Sequence, residues 1–273
     1  MKKNLKIAGL ILAGMVLAQG VFAGGGKQEE TGGLTIEKGV LSVGMEIGYP
    51  PMEYYDTDGK TPIGFDVSMA KALAEKMGLE VKFIDTAWDG IFAGVETGKY
   101  DCIISSVTIT EARNEAHNFT KPYVGNAMAM VLLKGSSITA RTPAELGGLG
   151  VAYQEETTAD FYMADLVAKG LQFTPYEYDK VMYCFNELKL GRVDAIVTDS
   201  LVAVDYVAPA DSPFELVWQG EADEVFGICL KKGNDPLTAE LDKALDALFA
   251  DGTMLRISRE IFGGVDMVSA ARQ

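Results

Sequence analysis

The sequence predicts an α/β fold arranged as two successive runs of alternating strands and helices. Three observations carry this expectation. From Val40 onward, short runs of branched and apolar residues alternate with segments of helical apolar spacing. The pattern restarts after Gly125, as a second lobe would require. A chain of 273 residues, 48% hydrophobic and 23% charged, is long enough to bury one large core or two ordinary ones. Its 30 glycines and 9 prolines are dispersed, and no fixed-period repeat suggests a solenoid. A net charge of −15 argues against nucleic acid or an anionic bilayer as the main partner.

Residues 1–23 have a basic start, an apolar run from Ile7 to Phe22 and small residues before a cut, the pattern of a secretory signal peptide cleaved after Ala23. The run is short and Gly/Ala-rich for a membrane span. The segment carries three lysines and no acid, so its removal makes the chain three charges more negative. No cysteine follows it to accept a lipid, and residues 24–35 read as a flexible leader.

Val40–Glu46 then reads as a strand, followed by the turn Gly48-Tyr49-Pro50-Pro51. Asp66 is expected to cap a helix whose apolar face holds Val67, Ala70, Leu73, Ala74 and Met77, with Gly78 as its stop. Glu80–Ile84 is a strand, Asp89–Thr97 a short helix and Asp101–Ser106 a third strand, which together form a βαβαβ unit with a parallel sheet. In the second run, Ala127–Leu133 is a strand and Thr142-Pro143-Ala144-Glu145 a capping box. Strands follow at Leu149–Tyr153, near Gln172–Tyr176 and at Val193–Thr198, with helices from Thr158, from Asp179 to Leu190 and from Ser200. Val225–Lys231 is one more strand, and helices near Pro236–Ala250 and Thr253–Phe262 close the chain.

Cys102, Cys184 and Cys229 make an odd count and sit in apolar segments, so buried free thiols are the expectation. His117 is the only histidine, which excludes a His-rich metal site and leaves any Ser-His-Asp triad dependent on one residue.

The stretch from Ile103 to Arg113 places the hydroxyls of Ser105, Ser106 and Thr108 beyond a strand, then Thr110 as a helix cap and Arg113 in the first turn. Hydroxyls, free helix amides and a guanidinium all favour an anion, and Arg grips a carboxylate through two parallel bonds. The plainer alternative is a surface Arg paired with Glu111 or Glu115. Tyr49 and Trp88 lie just past strand ends, where α/β sheets place ligands, although large aromatics also serve as core. Asp199 ends a strand, where its carboxylate could meet an ammonium or merely cap the next helix.

In this order, Tyr49-Pro50-Pro51, Gly64-Phe65-Asp66, Trp88-Asp89-Gly90, the stretch from Gly98 to Thr110 and Arg113 resemble the family 3 solute-binding proteins of polar amino-acid ABC transporters. The run Phe119–Tyr123, the Thr157-Thr158 pair and Asp251-Gly252-Thr253 continue the resemblance over about residues 36–263. It implies a two-lobed Venus-flytrap of the periplasmic binding protein-like II class, with two crossing strands as hinge. Lobe 1 would be 36–124 plus 225–273, and lobe 2 would be 125–224. Arg113 would clamp a ligand α-carboxylate, aided by Thr108 and by Thr157 or its amide. Asp199, with Ser106 or its carbonyl, would hold the α-ammonium, while Tyr49 and Trp88 flank the side chain beside Glu46. Ser105 and Thr158 complete the expected ligand-binding set. The implied protein is a periplasmic monomer without a cofactor, delivering an amino acid to an ABC permease in the inner membrane.

One position departs from the family. Glu156 stands where a glycine commonly precedes the paired threonines, and Glu155 precedes it. With Glu46, these acids tilt the expected ligand toward Arg, Lys or ornithine, though Glu46 could equally accept from a Gln or Asn amide. Two rivals share the fold. A cyclohexadienyl dehydratase-like enzyme would need Glu156 as a buried general acid, and an amino-acid sensor would need a separate partner.

Overall fold

The computed structural model describes residues 33–272. The expected signal peptide and most of the leader lie outside them. The leader's last residues, 33–35, are described, and Thr35 is buried, with its hydroxyl donating to the Glu37 carbonyl. The packed chain therefore begins slightly earlier than expected.

Two five-stranded sheets organise the described residues. In the first, β1 (Val40–Met45) follows the expectation for a central strand. It is almost entirely buried, with Leu41, Val43 and Met45 on one face and Ser42 and Gly44 on the other, because helices pack against both sides. The short hairpin β2 (Tyr54–Tyr55) and β3 (Pro62–Ile63) leads into α1 (Phe65–Met77). Asp66 does not cap this helix. The N-cap is Gly64 at φ 121°, where a Cβ would sit 2.3 Å from the Met52 carbonyl oxygen, and the buried Asp66 carboxyl turns elsewhere. Gly78 ends the helix in the left-handed conformation, as expected.

Parallel β4 (Glu80–Asp85) flanks β1 on one side. A 3-10 turn at Trp88–Gly90 and α2 (Ile91–Glu96) lead to β5 (Cys102–Ile103), parallel to β1 on the other side. This strand is shorter than expected, since Ile104–Ser106 curve out of the sheet toward the cavity described below. After α3 (Glu111–Ala116), β6 (His117–Phe119) forms the sheet's far edge.

The chain leaves through β7 (Val124–Asn126) and enters the second sheet at β8 (Met128–Leu133). The expected capping box does not form. Thr142 makes no capping bond, Glu145 accepts from the Arg141 amide instead, and only a 3-10 turn at Pro143–Glu145 results. The order continues with β9 (Gly150–Gln154), α4 (Thr158–Ala168), β10 (Thr174–Tyr178), α5 (Val181–Lys189), β11 (Ala195–Asp199) and α6 (Ser200–Val207). β12 (Phe214–Gln219), which the sequence reading passes over, pairs antiparallel with β8. The strand order is β10-β9-β11-β8-β12.

The strand expected at Val225–Lys231 is two strands. β13 (Glu224–Phe226) pairs antiparallel with β7, and β14 (Cys229–Lys231) inserts between β5 and β6. Gly227 separates them; a Cβ there would lie 2.7 Å from the Ile109 side chain. β7 and β13 thus form the ribbon by which the chain leaves the first sheet and returns. α7 (Asp235–Ala250) and α8 (Thr253–Ile261) then pack on α1, so the tail rejoins the first sheet's layer. The three cysteines are buried and free.

Candidate functional site

All ten residues expected at a binding site line one cavity, where Glu53 and Gln154 join them. The cavity opens at the carboxyl ends of strands from both sheets, the position at which open α/β sheets place ligands. The end of β1 supplies Glu46 and the turn with Tyr49, and the segment after β5 supplies Ser105 through Arg113. From the second sheet come Gln154 at the end of β9, Thr157 and Thr158 at the start of α4, and Asp199 at the end of β11.

Arg113 owes its place to a local cap. The Thr110 side chain accepts from the Arg113 amide at 3.2 Å, starting α3 and turning the Arg113 side chain back over the strand end. Nη1 donates to the Thr108 carbonyl at 3.1 Å and Nη2 to the Glu156 carbonyl at 3.3 Å. The guanidinium also lies over the rings of Trp88 and Phe92, 5.5 and 5.2 Å from their centroids. Among the described residues it pairs with no carboxylate, so the surface pairing with Glu111 or Glu115 does not occur. Burial pulls its pKa down from the usual value, opposed by nearby acids including Asp199.

Asp199 occupies the N-cap position of α6, yet its carboxylate makes no capping bond. It instead accepts from the Tyr49 hydroxyl at 2.6 Å and the Asn126 amide at 2.7 Å. Burial first, and the charge of Glu224 second, push its pKa up to about 7. The two expected aromatics therefore each serve a charged partner: Tyr49 holds Asp199, and Trp88 supports Arg113.

Glu46 is 2% exposed, and burial raises its pKa to about 7. Its Oε2 accepts from Gln154 Nε2 at 2.7 Å, while Oε1 has no partner. The Ser105 hydroxyl faces inward. It donates to Glu53 Oε1 at 2.5 Å and accepts from the Glu46 amide at 3.0 Å, so it is spent on the scaffold. Ser106 sits at φ 50°, with its amide donating to Asp66 Oδ2 at 2.8 Å and its hydroxyl unpartnered. Asp66 also accepts from Tyr123 at 2.9 Å, and burial raises the pKa values of both Asp66 and Glu53. These acids hold the Ser105–Ser106 bend from behind, which is where the Asp66 side chain goes instead of capping α1.

The Thr157 hydroxyl caps α4 and donates to the Gln154 carbonyl at 2.7 Å, leaving backbone amides as the free donors at that helix start. Neither Glu155 nor Glu156 lines the cavity. Glu156 adopts φ 58° with its side chain exposed, and its carbonyl faces the site, accepting from Trp88 Nε1 at 3.2 Å and from Arg113. The acid expected at the cleft is thus turned outward, because the left-handed backbone directs the carbonyl inward. His117 bonds Glu96 at 2.9 Å and lies outside the cavity, so no triad forms around it.

Sequence reasoning missed Glu53, Gln154 and Asn126. Gln154 had an available signal, since it is the last residue of a strand whose neighbour β11 ends at Asp199. Glu53 follows the Pro-Pro turn with nothing in its spacing to mark it.

The chain matches the family model for bacterial extracellular solute-binding proteins, family 3, over residues 41–264. It is 31% identical to the L-cystine-binding protein TcyJ of Escherichia coli, covering 83% of this chain and 84% of that protein. It is 30% identical to the L-arginine-binding protein of Pseudomonas aeruginosa, covering 81% and 87%. A solved ancestral arginine-binding protein bound to arginine superposes with a TM-score of 0.79 at 35% identity, covering 82% of this chain and 99% of that one.

Proposed function

We propose a function from one premise: the chain belongs to the bacterial extracellular solute-binding proteins of family 3. It binds a polar L-amino acid outside the cytoplasmic membrane and delivers it to an ABC permease, without chemistry of its own. The observation that carries this is the pairing of opposite charges across one cavity. Arg113, which pairs with no carboxylate among the described residues, is presented by the first sheet, and the buried Asp199 by the second. An enclosed zwitterion loses the hydration of both its charges and must recover it from such partners. Arg113 takes the α-carboxylate with help from Thr108 and the α4 amides. Asp199 takes the α-ammonium with Ser106, whose hydroxyl is free. Both contacts are complete only when the lobes, 36–124 plus 225–273 and 125–224, close on the ligand.

A thermal-shift screen tests this. The panel is the twenty amino acids, ornithine, citrulline, L-cystine, L,L-cystathionine and prephenate. A ligand at about 100 times its Kd adds roughly 2.7 kcal/mol of stability, a visible rise in Tm. At least one amino acid should produce it, and Arg113→Ala should abolish it while leaving the unliganded Tm near that of the parent. Loss of a charge-assisted bond to a buried carboxylate costs on the order of 2–5 kcal/mol. Retention of affinity within about threefold would remove Arg113 from its role. A response to prephenate alone would favour the dehydratase-like enzyme.

A further inference from the structure

We infer that the Glu46 end of the cavity, which Lys180 borders across Gly48, receives a second amino-acid head group, so that the ligand is a two-headed amino acid with an ammonium and a carboxylate at each end. This rests on the amino-acid-binding reading above and names the ligand within it.

The charged groups fall into two sets. Arg113 and Asp199 attract each other at one end, and Glu46 and Lys180 attract each other at the other. Tyr49 lines the same cavity as Glu46 and Asp199, with its hydroxyl on Asp199. The second set is unfinished. Glu46 is buried, with Oε2 bonded to Gln154 and Oε1 bonded to nothing. Lys180, half-buried just before α5, enters no ion pair among the described residues.

Gly48 separates the two. A Cβ on Gly48 would lie 3.5 Å from Lys180 Nζ and 3.8 Å from Glu46 Oε1. Gly48 is not among the positive-φ glycines, so its backbone does not demand glycine. The missing side chain leaves a slot beside the cavity, with the Lys180 ammonium on one wall and the Glu46 carboxylate on the other; Glu46 lines the cavity itself, and Lys180 stands just outside its lining. Two other acids stand nearby, and neither competes for the slot. Asp85 is exposed and accepts from the Ile47 amide at 3.1 Å and the Tyr55 hydroxyl at 3.0 Å, while the Asp179 side chain is exposed and its carbonyl accepts from Gln154.

Single-headed ligands use this end poorly. A ligand guanidinium or ammonium would meet Glu46 but lie beside the like charge of Lys180, and a neutral amide would leave Lys180 without a partner. A second head group answers both, with its ammonium on Glu46 Oε1 and its carboxylate on Lys180. It adds a carboxylate to the cation that Glu46 alone called for.

Calorimetric titration at pH 7.5 tests the inference, with L,L-cystathionine, L-cystine, S-methyl-L-cysteine and L-arginine as titrants. At least one two-headed compound should bind tenfold or more tightly than both S-methyl-L-cysteine and L-arginine. Lys180→Met, which keeps the stem and removes the charge, should weaken that compound at least tenfold and strengthen arginine. The inference is overturned if arginine outbinds both two-headed compounds in the parent protein, or if Lys180→Met leaves two-headed affinity within threefold. Either result leaves the amino-acid-binding reading standing. Silence toward all four and toward every amino acid of the thermal screen overturns that reading, and this one with it.

Discussion

Three carboxyl groups in or behind the cavity, Glu46, Asp66 and Asp199, have their pKa values raised to about 7, in each case chiefly by burial. For a carboxyl raised on folding, the native state binds more protons than the unfolded state between the ordinary value near 4 and the folded value near 7. Its stabilising contribution is therefore fully present below about pH 4 and is lost as pH rises through 7, the reverse of a salt-bridged acid. The unliganded protein should melt at a lower temperature at pH 8 than at pH 5. The fall should be at least roughly 2–4 °C, which is what about 1 kcal/mol produces in a chain of this size. Asp66→Asn, which mimics the protonated acid, should flatten part of it. Melting curves across that range check the sign, and a Tm that rose from pH 5 to pH 8 would contradict the role given to burial. At this scale the positions of Arg113 and Asp199 at strand ends were legible from spacing and residue type. The partners that decide their behaviour were not: Tyr49 is 150 residues from Asp199, and the Glu156 carbonyl is 43 residues from Arg113.

Among the elements, α2 shows how tightly the layer beneath the cavity is fitted. Tyr100, 1% exposed, packs against two glycines and donates to the Ile91 carbonyl at 2.5 Å. A Cβ on Gly94 would lie 2.1 Å from its hydroxyl oxygen, and one on Gly44 would lie 2.5 Å from its ring. Gly94→Ala should destabilise the protein by about 1–3 kcal/mol by overpacking, measured as a lowered midpoint in urea. An unchanged midpoint would mean that the ring has room to move. Local signals found most helices and several of their boundaries, as at Gly78, Thr110 and Thr158. They failed where a side chain had a stronger distant partner. Asp66 gave up capping for Ser106 and Tyr123, and Glu145 gave up Thr142 for Arg141. The run 225–231 read as one strand because its apolar composition is continuous, and only its partners divide it at Gly227.

Across the whole molecule, the polar contacts between the two sheets' strand ends are few and specific. Tyr49 reaches Asp199, Gln154 reaches Glu46, and Trp88 and Arg113 both reach the Glu156 carbonyl. Every one involves a residue that lines the cavity, so the contacts that draw the two sheets together are the ones a ligand would join. The β7–β13 ribbon is the narrow pairing that links the sheets' chains. Ligand should therefore shift the population toward the closed form. Small-angle scattering of the protein should give a smaller radius of gyration once a saturating amino acid is added. An unchanged radius with binding verified would mean that the lobes do not close in response to it.

Sequence alone determined the α/β class, the restart after Gly125, the Gly78 helix stop and the strand-end positions of Arg113 and Asp199. These are local properties, set by periodicity, caps and the chemistry of strand ends. Tertiary structure alone decided that the run 225–231 divides at Gly227 into two strands with different partners, that Glu156 turns its carbonyl inward and its carboxylate out, and that Lys180 stands across a slot from Glu46. Each of these depends on backbone direction or on a partner far away in the chain, and spacing along a sequence carries neither.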